Sequence, residues 1–303
     1  MSFAGLDAVA IANDCLISSI SSDTFNPMMN VQSCVKQGIC HLLEGTVPGY
    51  RFLLRRDHNV RGPACRPRAP WYNAVLQTRR ERDEAINQIT SLGLPLHLDA
   101  PKNWDSLTAL DCILSNTSRG ARVLDAGAEV YSCILQWLRL YGFRRLEGIN
   151  VVFKGETRRG PITYKYGDIT HTEYDAATFE AITCLSVIEH GVDLDAYFRE
   201  MSRILKPGGI LITSTDYWQA PIDTKGQEMY GVPIRVFTEQ EIRHAIELAR
   251  RSGLVLATPI NLISSEKVVH WEEVGLDFTF VVFTLRKSTA VRINLERRQS
   301  PRS

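Results

Sequence analysis

Polar residues recur along this 303-residue chain where short apolar runs stop. "VLDAGAEVYS" (residues 123–132) places Asp125 and Gly127 directly after such a run. "RLEGIN" ends on Asn150, and "ITYKYGDI" delivers Asp168 and Ile169. "AITCLSVIEH" carries Ser186 and His190, and "ILITSTDYW" carries Asp216, Tyr217 and Trp218. Polar groups alternating with apolar ones at successive strand ends suit a ligand with a flat base, a ribose and a charged tail. Gly127 stands alone, because Glu129 and Tyr131 occupy the places of a second and a third glycine. A dinucleotide's pyrophosphate needs the close backbone approach of a G-x-G-x-x-G loop. The spacing therefore argues against a nicotinamide-dependent dehydrogenase and for a ligand without phosphate, with Glu129 and Tyr131 starting a helix.

Two positions suit group transfer and acceptor binding. His190 has a side chain that exchanges protons near neutrality, although capping the next helix is an equally ordinary use. Asp216 beside Tyr217 and Trp218 suits a sugar ring or another polar cyclic substrate; the bland alternative is an aromatic lid packed over the sheet. Tyr230, with Gly231 and Pro233, would complete that wall. His270 and Trp271 belong to an insertion before the last strand and rank below these.

The elements that must position these residues follow from periodicity. Asp105 is placed to cap a helix carrying Leu107, Leu110, Ile113 and Leu114. Val130, Ile134, Leu135, Leu138 and Tyr141 repeat at helical spacing, as do Leu194, Tyr197, Phe198, Met201, Ile204 and Leu205. Lys206-Pro207-Gly208-Gly209 reads as the turn ending the latter helix, before a strand "GILITST". Thr238 with Glu241 predicts a capping box. "LVLAT" and "LDFTFVVFTL" supply the last two strands. The fold class is α/β: a doubly wound, seven-stranded, mostly parallel sheet with an antiparallel last strand, over about 101–287. An N-terminal extension (1–100), partly helical, precedes it, and a tail expected to be disordered (288–303) follows.

At this point the chain resembles the class I S-adenosylmethionine-dependent methyltransferases, in particular the small-molecule group that includes the ubiquinone-biosynthesis enzymes. The resemblance covers about residues 105–257. "VLDAGAEVYS" stands at that family's glycine-rich loop and "GDIT" at its adenine-side acidic turn. "FEAITCLSVIEHGVDLDAYFREMSRILKPGGILITST" looks like its fourth strand, following helix and fifth strand; its E-x-x-R-x-L-K-P-G-G turn is the most specific part. The resemblance implies S-adenosylmethionine as cofactor, with Asp125 accepting from its ammonium group or organising the loop. Gly127 would let the backbone approach the methionine moiety. Asn150 stands where the family usually has an acid gripping both ribose hydroxyls. Asp168 would accept from the adenine amino group, Ile169 would pack on the ring, and Ser186 would line the cofactor at the fourth strand's end. For a hydroxyl acceptor, His190 is the candidate base, and Asp216 faces the acceptor side. The implied activity is methyl transfer to a small molecule, most plausibly at oxygen. The alternatives are an RNA or protein methyltransferase and a catalytically silent member that binds partners.

Composition is that of an ordinary globular protein, 44% hydrophobic and 23% charged, with a net charge of +1 that gives no global field toward nucleic acid or membrane. Nine arginines crowd residues 51–82, with three prolines between 63 and 70. This stretch reads as a solvated connector resisting regular structure until about Trp71, and contact with phosphates is the functional alternative. Residues 79–92 look helical. Seven cysteines without a C-x-x-C pair predict reduced thiols in the cytosol and no metal site. No basic-then-apolar leader and no spanning apolar run are seen in the sequence.

Overall fold

The computed structural model describes residues 42–43, 45–58, 65–229 and 231–289. Tyr230 and the tail beyond 289 lie outside the described residues. The chain enters through α1 (Val47–His58), then β1 (Ala74–Val75), α2 (Arg79–Ser91) and α3 (Lys102–Asn116). β2 (Arg122–Ala126), α4 (Cys133–Leu140) and β3 (Arg145–Asn150) follow, then a hairpin of β4 (Thr157–Arg159) and β5 (Ile162–Tyr166). β6 (Phe179–Leu185), α5 (Leu194–Ile204) and β7 (Leu205–Tyr217) continue the alternation. After a small hairpin of β8 (Glu228–Met229) and β9 (Val232–Pro233) come α6 (Glu239–Arg251), β10 (Leu254–Leu256), β11 (Val269–Trp271) and β12 (Leu276–Lys287).

The strands form a ten-stranded sheet ordered β1-β12-β7-β6-β2-β3-β5-β4, with β10 and β11 also paired to β12. β3, β5, β6 and β7 join β2 in a parallel block. β12 is antiparallel to β7 on one side and to β10 on the other. This is the doubly wound sheet with an antiparallel last strand expected from the sequence. The short strands β1, β4 and β11 raise the count from seven to ten.

Strand alternation sends neighbouring apolar residues to opposite layers. Val123, Ala181, Ile210 and Ile212 join Trp104, Leu107, Leu110, Ile134 and Leu138 from α3 and α4. Leu124, Ile182 and Leu211 join Tyr197, Met201, Ile242 and Ala245 from α5 and α6. The predicted capping box opens α6: the Thr238 hydroxyl accepts from the Glu241 amide and the Glu241 carboxylate accepts from the Thr238 amide.

Residues 65–100 contribute to this core. Val75, Leu76, Ala85, Ile89, Leu92 and Leu94 are buried, and Ala74 pairs with Val282 of β12. Asn73, buried at φ 50°, fastens the junction. Its amide nitrogen donates to the Thr258 carbonyl (2.6 Å) and its carbonyl oxygen accepts from the Thr284 amide (2.5 Å).

Three local expectations are corrected. The arginine-rich stretch is helical from its start, since α1 runs to His58; Pro48 sits in the first turn, where its missing N–H costs nothing. Asp105 is not a cap: α3 begins at Lys102 after Pro101, which puts Asp105 in the first turn facing the core. The Lys206-Pro207-Gly208-Gly209 turn belongs to β7, which starts at Leu205 opposite Phe179 and carries a bulge there. Gly208 at φ 78° absorbs the irregularity.

Candidate functional site

The carboxyl ends of β2, β6 and β7 come together near the first turn of α3, and polar residues collect there. Asp125 ends β2 in register with Thr183 of β6, whose hydroxyl donates to the Asp125 carboxylate at 2.7 Å. The same face carries Ser214 on β7, which donates to the Asp105 carboxylate at 2.5 Å. Ser186 follows β6, and its amide reaches both the Ser214 carbonyl (3.1 Å) and hydroxyl (3.2 Å). Ser186 adopts φ 52°, unusual for a residue with a Cβ, and its hydroxyl is buried without a hydrogen-bond partner. Strain and an unpaired buried donor at one strand end mark a place prepared for something else.

Above this layer lie Glu189 and Asp216, only 3% and 8% exposed. The Thr215 hydroxyl donates to Glu189 at 2.9 Å. Burial pushes the Asp105 carboxyl up to about 6, against the Ser214 bond that opposes it. It pushes Asp125 up to about 7, and Glu189 likewise to about 7. Asp216 is raised well above the ordinary carboxylate range by burial and then by Glu189. Lys102, at the start of α3, is the counter-charge. Burial would lower it, but Glu189, Asp99, Asp105 and Asp216 outweigh that and raise it. The strand ends thus gather buried side chains with more acid than base, suited to a ligand that brings positive charge or hydrogen-bond donors.

A loop of residues 127–132 closes one side. Glu129 and Tyr131 do not start the helix as expected, because α4 begins only at Cys133. Side chains hold the loop open instead: Arg159 (3.1 Å) and Gln136 (3.3 Å) donate to the Val130 carbonyl, and the Glu129 amide donates to the Ser132 hydroxyl. Gly127, at φ 89°, donates its amide to the Ile149 carbonyl at 2.8 Å. A Cβ there would lie 2.4 Å from a Val187 methyl, so the glycine serves backbone geometry and the approach of Val187. Residues 95–103 strap the loop from above: Trp137 donates to the Pro95 carbonyl, and the His97 ring meets Tyr131 edge-on at 6.1 Å. Burial lowers His97 to about 4, which keeps its imidazole neutral.

The remaining sequence candidates divide. Asn150 spends its amide nitrogen on the Gly127 (3.3 Å) and Ala128 (3.0 Å) carbonyls. Asp168 accepts from the Thr170 amide (2.8 Å) and hydroxyl (2.7 Å), and Ile169 beside it is buried in the α5–α6 layer. His190 is half-buried one residue beyond Glu189, lowered by burial and then by Lys102. Trp218 lies partly buried near Lys267, whose ammonium is 5.2 Å from its ring centroid. Tyr217 does not reach the cleft. Strand alternation turns it to the opposite face from Asp216, where it is fully buried and its hydroxyl donates to the Leu262 carbonyl. Tyr230 falls outside the described residues.

Sequence reasoning missed Lys102, Asp105 and Glu189 as members of the cluster. The signal available was an aspartate on the apolar face of α3, next to Trp104 and Leu107, where a charge needs a partner. The diagnostic E-x-x-R turn has a structural use: Glu200 pairs with Arg203 at 2.7 Å and accepts from the Thr172 amide, tying α5 to the segment before β6.

Comparison with known proteins bears on this geometry. Residues 126–213, from the end of β2 into β7, match the family model described as "Methyltransferase domain". A demethylmenaquinone methyltransferase of Beutenbergia cavernae is 26% identical over 164 residues, 52% of this chain and 61% of that protein. The chain thus spans less than two thirds of that relative's length. Among solved structures, an S-adenosylmethionine-dependent methyltransferase from Mesorhizobium loti is 18% identical with a TM-score of 0.45, covering 62% of this chain and 99% of that one. A geranyl diphosphate C-methyltransferase from Streptomyces coelicolor, in complex with Mg2+, geranyl diphosphate and S-adenosylhomocysteine, is 18% identical with a TM-score of 0.46 over 68% and 83%. The matched stretch contains Gly127, Asn150, Asp168, Ser186, Glu189 and His190, while Asp125 precedes it and Asp216 follows it. Among the described residues no helix is long and apolar enough to cross a membrane.

Proposed function

We propose that this chain transfers a methyl group from S-adenosylmethionine to a polar small-molecule acceptor, at a hydroxyl of a sugar or similar metabolite. The observation that carries the reading is the acid-rich ring at the strand ends, with the Ser186 hydroxyl left unpaired inside it. A sulfonium with an ammonium group supplies the positive charge that Lys102 alone does not. Asp125 and Ser186 are the residues assigned to the methionine end, and Asp168 with Ile169 to the adenine. When bound, the cofactor supplies an activated methyl, so the protein's own task is alignment and proton removal.

Asp216 and Glu189 are the residues proposed for the second task. Both carboxyls are raised by burial; Glu189 raises Asp216 further, Asp105 raises Glu189, and Lys102 lowers both. A base must be ionised to act, so transfer is expected to rise as pH climbs through neutrality instead of levelling off near pH 5. Asp216→Asn is expected to slow transfer by roughly 100-fold or more and to flatten that rise. His190→Ala is expected to cost less and to leave cofactor binding intact. Initial rates against pH at saturating cofactor decide: a profile unchanged in Asp216→Asn removes Asp216 from the role.

The quinone chemistry of the Beutenbergia relative offers a second acceptor class. Glu189, Asp216 and Lys102 at the cleft argue for the polar one, since burying a prenyl chain against them costs desolvation without return. A screen with labelled cofactor, one arm a polar metabolite extract and the other demethylmenaquinone, separates the two. Label confined to the quinone arm would refute the polar-acceptor reading.

A further inference from the structure

The Asn150 amide holds together the loop that faces the cofactor. Its nitrogen donates to two successive carbonyls, Ala128 at 3.0 Å and Gly127 at 3.3 Å, and its oxygen accepts from the Val152 amide at 3.2 Å. Both hydrogens and the acceptor are thereby used within the protein. Just behind these carbonyls, the Gly127 and Ala128 amides converge on the Ile149 carbonyl at 2.8 and 2.9 Å. The end of β3 therefore grips the loop from both sides of its first two peptides. In a loop with one glycine, the path 127–132 is fixed by such side-chain bonds, with Arg159 and Gln136 doing the same at Val130.

We propose that Asn150 is a positioning residue that templates the single-glycine loop, and not a clamp on the ribose hydroxyls. The inference rests on the S-adenosylmethionine reading above. It also explains the residue type. A carboxylate at 150 has no hydrogen to donate and would face two carbonyl oxygens, whereas a clamp on a diol would favour the acid. The two roles thus predict opposite signs for the same substitution.

The test is titration of S-adenosylmethionine into the full chain and into Asn150→Asp between pH 8 and pH 5.5, read as the ratio of the two affinities. The ratio cancels the titration of Asp125 and Glu129, which both chains share. As a template, Asn150→Asp binds about 10-fold or more weakly at pH 8. The deficit shrinks several-fold toward pH 5.5, where a protonated carboxyl regains one donor for a carbonyl. A purely structural lesion gives no such recovery. Equal or tighter binding by Asn150→Asp at pH 8, or a deficit that does not change with pH, overturns the proposal. Hydrogen exchange at the Gly127 and Ala128 amides of the ligand-free chains is the second readout. Faster exchange in Asn150→Asp at pH 8 supports templating, and unchanged exchange refutes it. Should the wild-type chain fail to bind S-adenosylmethionine, the cofactor reading falls, and the exchange data still decide what Asn150 does.

Discussion

Asp125→Asn is expected to make the protein more stable at pH 8 and a poorer binder of S-adenosylmethionine. The folded state holds the Asp125 carboxyl at about 7 against an ordinary 3.8, chiefly by burial. A group raised in the folded state contributes its full stability below the unfolded value, and loses it as pH rises through the folded one. At pH 8 the ionised, buried Asp125 therefore costs up to about 4 kcal/mol, which is three units at 1.36 kcal/mol each. Asparagine keeps an acceptor for the Thr183 hydroxyl and removes the charge. The melting temperature of the variant should exceed wild type at pH 8, and the gap should narrow toward pH 5. The same charge is what an ammonium group would pair with, so binding should weaken roughly 10- to 100-fold. A variant that is less stable at pH 8 would show that the carboxylate is satisfied as it stands.

Gly127→Ala should weaken binding as well, but lower stability with it. Two separate costs combine. A residue with a Cβ at φ 89° is strained by roughly 1–3 kcal/mol, and the new methyl would sit 2.4 Å from Val187. The expected loss is about 2–4 kcal/mol, or roughly 3–6 °C in melting temperature for a chain of this size. Val187→Ala removes the clash and leaves the backbone strain, so the double variant should recover part of the loss. A double-mutant cycle in denaturant measures that coupling. A coupling near zero would mean that the loop moves away from Val187 at no cost, and that the glycine is needed for φ alone.

The sheet was legible in the sequence because buried parallel strands are short apolar runs, each ending at a polar residue. "RVLDA", "RLEGIN" and "FEAITCL" needed no long-range information to be recognised. The positions that tertiary structure controls were harder. Tyr217 follows Asp216 and was grouped with it, yet a strand sends neighbours to opposite faces, and only one faces the cleft. Asp105 lies 20 residues from Asp125 in the chain but meets Ser214 through the packing of α3 on β7. Asn150 showed the residue type without its cause, since its partners Gly127 and Ala128 come from a different strand end. Glu129 and Tyr131 continued a helical pattern that Arg159 and Gln136 interrupt from outside the loop.

Calorimetric titration of S-adenosylmethionine into the wild-type chain near pH 7.5 tests the central claim most directly, with S-adenosylhomocysteine as comparison. The account predicts one site per chain, with the sulfonium bound more tightly than the uncharged thioether, because the acid-rich cleft favours the charge. Absence of heat with either ligand, or a preference for the thioether, would contradict it.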